Sequence, residues 1–161
     1  MAFSLVTIHT ALSFIAIAAG VVVVFDLLKA VASPFWTLLF LATAILTSAT
    51  GYLFPFSGVL PSHIVGGIAL VVLAVVLAAR YGFGLRGGWR KVDAIGMVAS
   101  LYFLVFVLVA QAFLKIPSLH VLAPIGSEPA FAIAQVVALI VFVCLGFAVT
   151  RTAGRVTRAL A

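Results

Sequence analysis

Five long apolar runs, separated by short gaps, constrain this chain more than any other feature. They fall at about Phe3–Leu28, Pro34–Phe54, Ser62–Arg80, Asp93–Leu114 and Pro129–Thr150. A helix needs about 20 apolar residues to cross roughly 30 Å of hydrocarbon, and each run is of that order. Hydrocarbon offers no partner to a free backbone N–H or C=O, so each run is read as a helix. The expected fold class is all-α: an integral membrane bundle of five transmembrane helices, with residues 1–161 forming one domain. Composition agrees, with 66% hydrophobic and only 7% charged residues, against about 25% charged in a soluble domain.

The first run lacks a basic flank, and its apolar core exceeds the roughly 7–15 residues of a signal peptide, so it reads as a retained span. Pro34 and Pro129 lie in first turns, where a missing N–H costs nothing. Ser62, Asp93 and Ser127 are the expected N-caps.

The net charge of +6 is distributed unevenly. Lys29, Arg80, Arg86, Arg90, Lys91, Arg151, Arg155 and Arg158 fall on one side of the five runs, and Lys115 alone on the other. The positive-inside bias then places the N-terminus outside and the C-terminus in the cytoplasm of a bacterial inner membrane. The glycine- and arginine-rich stretch from Arg80 to Val92 reads as a flexible loop on lipid headgroups, with Trp89 at the interface. Arg151, Arg155 and Arg158 share one face of a helical tail. Arg86, Arg90, Lys91 and those three arginines are candidate contacts for anionic headgroups, the expected partner on this side. The basic residues sit in the short gaps between apolar runs and form no binding surface with interleaved aromatics, and no P-loop lysine follows Gly82, Gly84, Gly87 and Gly88, so nucleic-acid and nucleotide binding are not expected. A single cysteine, Cys144, excludes an internal disulfide and lies far from every histidine, which removes a Cys-His nucleophile.

Membrane helices pack through small residues and turn polar ones inward. Such seams run through His9, Ser13, Ala16 and Gly20; through Thr43, Thr47 and Thr50; through His63, Gly67, Ala74 and Ala78; through Gly96, Ser100, Val107, Gln111 and Lys115; and through Gln135, Ala138, Phe142 and Gly146. Packing does not require the polar members to share a depth, yet most fall near the end opposite the basic gaps. The turn from Thr50 to His63, TGYLFPFSGVLPSH, marks that end. The chain's histidines, His9, His63 and His120, all fall there. Neutral imidazole is a common metal ligand and an axial haem ligand. A zinc or copper site on all three, or a haem between His9 and His63, is therefore expected as one outcome. Imidazoles hydrogen-bonded across the bundle, to a threonine hydroxyl or a glutamine amide, are the other. Thr47, Thr50, Gln111, Gln135, Glu128, Lys115 and Tyr52 are the expected supporting residues, with Glu128 a candidate fourth ligand or proton acceptor.

Asp26 is expected to pair with Lys29 one turn away. The loop KIPSLHVLAPIGSEP is unusually apolar, and its Ile116, Leu119, Val121, Leu122 and Ile125 are expected to fold back as a lid that carries His120 over the bundle, with Tyr52–Phe56 forming the opposite wall. An apolar pocket with a few convergent polar groups suits a quinone-like ligand as well as a metal or haem. The leading expectation is thus an outward-facing, histidine-containing pocket with a redox or ligand-handling role. The alternatives are an accessory subunit docked on a larger membrane complex or paired as a homo-oligomer, and a small-solute transporter; the last is weakened by the lack of charged residues along a through-path.

Overall fold

The computed structural model describes residues 2–54 and 61–159. Within them the chain forms α1 (Ala2–Lys29), α2 (Pro34–Thr50) with a single 3-10 turn (Gly51–Leu53), and α3 (Pro61–Leu77), which ends in a π turn (Ala78–Gly82). Then come α4 (Trp89–Lys115), a one-turn α5 (Pro117–His120) and α6 (Pro129–Ala159). Five of these stretches are long and apolar enough to cross a membrane. No strand occurs among the described residues. The part of the Thr50–His63 turn from 55 to 60, including Phe56, lies outside the described residues.

The ends follow from local chemistry. α1 stops in a Schellman motif: Ala30 takes φ 57°, its N–H bonds Leu27 O, and Val31 N–H bonds Asp26 O at 2.9 Å. Alanine in this left-handed position is unusual, since glycine normally fills it. Ser33 is held extended ahead of Pro34, at φ −118°, as the proline ring requires. α6 starts at Pro129, with Ala132 N–H on Glu128 O. Glu128 is therefore its N-cap in place of Ser127.

The first four long helices form a ring, α1 to α2 to α3 to α4 and back to α1, and α6 lies outside it against both α4 and α1. The core is made where they meet: Ala16, Ala19 and Val23 of α1, Phe40 and Leu41 of α2, Leu73 and Val76 of α3, Met97 and Leu101 of α4, and Val149 of α6. Two glycines permit the closest approaches. A Cβ on Gly20 would stand 2.8 Å from both Leu101 and Phe40, and one on Gly96 would collide with Val76. The seams of α1, α2 and α4 face inward as expected. That of α3 does not: Ala74 and Ala78 are exposed, and the helix instead buries Ala69, Leu73, Val76 and Ala79. The α6 seam is thin, because only Val149, Thr152, Ala153 and Gly154 of that helix are buried.

The basic end is more ordered than a headgroup loop needs to be. Phe83 N–H bonds Ala78 O, and Leu85 N–H bonds Ala79 O. Phe83 and Trp89 stack face to face with centroids 3.9 Å apart. Leu85, Gly84 and Gly87 all take positive φ. α4 begins at Trp89, so Asp93 sits in its second turn and is not an N-cap. Asp93 is 2% exposed, and its two oxygens accept from Arg80 Nε at 3.1 Å and Nη2 at 2.8 Å. Arg80 thus serves an ion pair inside the fold. Asp26 makes no such pair with Lys29, and its Oδ2 is buried without a partner.

Candidate functional site

Above the core, at the end opposite the Arg80–Asp93 pair, the four-helix ring opens into a cavity of about 610 Å³. Each wall is set by helix periodicity. On α1, Val6, His9, Thr10, Ser13, Phe14 and Ile17 form one stripe; α2 contributes Ala44, Thr47 and Ser48; α3 contributes His63, Gly66, Ala69 and Leu73. α4 contributes Ser100, Leu104, Val107, Gln111 and Lys115, and the turn after α2 adds Tyr52 and Phe54. The walls are mainly apolar. Of the candidate residues, His9, His63, Thr47, Tyr52, Gln111 and Lys115 come together here.

For a neutral His9 ring, the hydrogen bonds around it select one tautomer. Thr50 has a single hydroxyl proton, and that oxygen lies 2.7 Å from Leu46 O and 3.2 Å from Thr47 O, in the back-bonding arrangement of helical threonine. Toward His9, whose Nδ1 lies 2.9 Å away, Thr50 is then the acceptor. Nδ1 therefore carries the proton and Nε2 is left as an acceptor. Phe54 packs edge-on against the ring, with centroids 5.2 Å apart. Ser13 and Ser100 spend their protons in the same way, on His9 O and Gly96 O.

Thr47, one turn from Thr50, behaves differently. It is 6% exposed, and its hydroxyl is buried with no hydrogen-bond partner. A buried, unpaired hydroxyl costs about 1–3 kcal/mol and calls for a reason. His63 is held by Tyr52, whose hydroxyl donates to His63 O at 2.5 Å, the two rings lying 5.6 Å apart. Tyr52 can cross α3 here because Gly66 and Gly67 lack side chains: a Cβ on Gly67 would stand 2.9 Å from the Tyr52 hydroxyl.

The remaining candidates lie elsewhere. His120 is exposed on α5, and no group of three or more His, Cys, Asp or Glu residues that could hold a metal ion occurs among the described residues. The three-imidazole site is therefore not assembled. The lid is not formed either: Val121 is 78% and Ile125 85% exposed, Ile116 and Leu122 are exposed too, and the loop buries only Ala123. Glu128 turns its carboxylate onto its own loop, accepting from Ile125 N–H at 3.0 Å and Ser127 N–H at 2.9 Å. These donors hold its pKa below the ordinary carboxylate value, and it does not meet the histidines. Gln135 faces α4 from outside the ring, where its amide donates to Phe106 O at 3.1 Å. At the basic end Arg86 and Arg151 are exposed, Arg155 donates to Thr152, Arg158 to Gly154 O, and Lys91 lies against Gly154.

Sequence reasoning overlooked Ser48, Ser100 and Thr10 as cavity residues, although Ser100 already stood on the α4 seam; Phe54, part of the expected aromatic wall, does line the cavity. It also overlooked the Arg80–Asp93 pair, for which the Gly87–Gly88 break before Trp89 was the available signal. Comparison with protein-family models, curated proteins and solved structures finds no match to the chain.

Proposed function

We propose that this chain is a multi-pass protein of a bacterial inner membrane, N-terminus and cavity facing outward, C-terminus in the cytoplasm. The cavity binds a small, mainly apolar ligand with hydrogen-bonding oxygens, of the quinone class. The orientation rests on eight basic residues on one side of the spans against Lys115 on the other. The ligand reading rests on one observation: His9, whose Nδ1 is engaged by Thr50, and Thr47, whose hydroxyl is buried without a partner, line the same mainly apolar cavity. A quinol hydroxyl donates to His9 Nε2, and a quinone carbonyl accepts from the Thr47 hydroxyl once a small shift of the wall uncovers it, since that oxygen is closed to a water-sized molecule in this conformation. Apolar walls with a few polar groups are what such ligands require.

Haem is the competing occupant. His63 lines the same cavity, and an imidazole whose Nδ1–H is already held presents Nε2 as an axial ligand does. Binding of decylubiquinone to detergent-purified protein, together with the visible spectrum, separates the two. Saturable quinone binding that weakens roughly three- to tenfold in Thr47→Val or His9→Phe, the loss of one hydrogen bond, supports the reading. A Soret band lost in His9→Ala transfers the site to haem. Neither result would refute a small-molecule role.

One observation favours the accessory-subunit reading instead. The half of α6 near Pro129 exposes Ile133, Val136, Val137 and Ile140 and contains none of the helix's buried residues. Recovery of a stoichiometric partner in mild detergent, without bound quinone or haem, would establish it.

A further inference from the structure

A second hollow lies on the outside of the ring, an open apolar groove of about 540 Å³ on α3. Ile64, Gly67, Ile68, Val71 and Val72 form its floor, and Tyr52 and His63 close its upper end. Those same two residues line the inner cavity. The Tyr52–His63 pair is thus a partition with the histidine cavity on one face and the α3 groove on the other. Glycines at 66 and 67 have a visible part in this, since among the described residues the Tyr52 phenol is the side chain that lies against them. The ring connects α2 to α3 where those helices touch sparsely.

The groove runs along α3 from Ile64 to Val72, eight residues or about 12 Å at the rise of an α-helix. It therefore descends from the histidine end toward the middle of the span, the direction in which a hydrocarbon tail lies in a bilayer. We infer that the cavity and groove form one bipartite site for a lipid-phase ligand, with the polar head beside His9 and Thr47, and a long apolar tail passing Tyr52 into the α3 groove. This rests on the cavity reading above and names its substrate class: a tailed, isoprenoid-type quinone and not a tail-less, water-soluble one. The groove and the cavity lie on the two faces of the Tyr52–His63 partition, so a tail crosses between them when the Tyr52 ring swings aside; this adjacency assigns the groove to the ligand's tail and not to a bulk lipid chain.

The test measures equilibrium binding of two probes to the full-length purified protein, decylubiquinone and its tail-less ring analogue. The variants are wild type, Val71→Trp, Gly67→Ala and Val75→Trp. Val71 is well exposed in the groove, so tryptophan fills the groove without entering the core. Val75 lies on the same exposed face but outside the groove, and controls for added bulk and for partition of the tail into detergent. The expected result is that Val71→Trp weakens the tailed probe about tenfold or more and leaves the tail-less probe unchanged. Gly67→Ala shifts the Tyr52 ring that lines both hollows, so it is expected to weaken the tailed probe more than the tail-less one, while Val75→Trp affects neither. Equal loss for both probes, or no loss for the tailed one in Val71→Trp, overturns the bipartite site while leaving the cavity reading intact. Absence of saturable binding by either probe to wild type overturns both.

Discussion

Replacing Arg80 with methionine keeps most of the apolar stem and removes one half of the pair that ties the end of α3 to the start of α4. What remains is the carboxylate of Asp93, whose side chain is 3% exposed, against 21% for Arg80. Breaking a buried ion pair from one side costs about 3–5 kcal/mol, because the surviving charge is left uncompensated. The unequal exposure makes the two single substitutions unequal. After Asp93→Leu, the Arg80 head can extend along its stem toward solvent or headgroups. That variant therefore loses mainly the two charge-assisted hydrogen bonds, about 1.5–3 kcal/mol. Arg80→Met leaves a carboxylate that cannot move and belongs at the upper end, about 3–5 kcal/mol. The double variant Arg80→Met/Asp93→Leu should return most of this loss, because neither charge is orphaned, giving a coupling energy of about 3 kcal/mol or more. Unfolding by sodium dodecyl sulfate from dodecylmaltoside micelles, followed by circular dichroism, reads all four corners of the cycle. If Arg80→Met costs under about 1 kcal/mol, or if the single effects simply add in the double variant, the pair does not fasten the fold and the reasoning is wrong.

Ala30 holds a left-handed backbone at the end of α1, so Ala30→Gly should raise stability in the same assay by about 1 kcal/mol; a loss would mean that the Schellman turn is not populated. Gly96→Ala drives a methyl group into Val76 and should cost about 1–3 kcal/mol, partly restored by Val76→Ala. Gly146→Ala, where an added Cβ meets nothing within 4 Å, should be neutral or stabilising by up to about 1 kcal/mol. Glu128 has a folded pKa below its ordinary value of 4.5, chiefly through the Ile125 N–H. Its hold on the loop is thus present above that value and is lost as pH falls through the lowered one. Hydrogen exchange at Ile125 and Ser127 should show reduced protection on acidification, and Glu128→Gln should abolish that pH dependence; protection that is flat with pH would contradict the assignment.

The five spans were legible because apolar length is a one-dimensional property. Boundaries were less so. Asp93 looked like a cap because the apolar run begins there, but Trp89, Arg90 and Lys91 extend the helix by a turn. The partner of Asp93 lies thirteen residues back, brought into reach by a π turn that periodicity does not reveal. The cavity was half legible for a related reason. Sequence gives the depth of a residue along a span, and His9, Thr47, Gln111 and Lys115 do share a depth. It does not give azimuth around the bundle. α6 packs outside the ring, which sends Gln135 to the far side of α4 and leaves Glu128 and His120 away from the pocket. The expected lid failed because it supposed that exposed apolar loop residues must avoid water. In the membrane placement proposed above, Val121 and Ile125 have another medium to meet.

The closed base beneath the cavity has a consequence for traffic. Below Leu73, Ala44 and Ser100, the ring is filled by Phe40, Leu41, Val76 and Met97, each nearly inaccessible, and beneath these lies the ion pair. The hollow is a cul-de-sac. If the cavity takes a ligand as proposed, that ligand comes and goes at the histidine end or past Tyr52 at the side of the ring, and it reaches the Arg80–Asp93 end only if Phe40, Leu41, Val76 and Met97 repack.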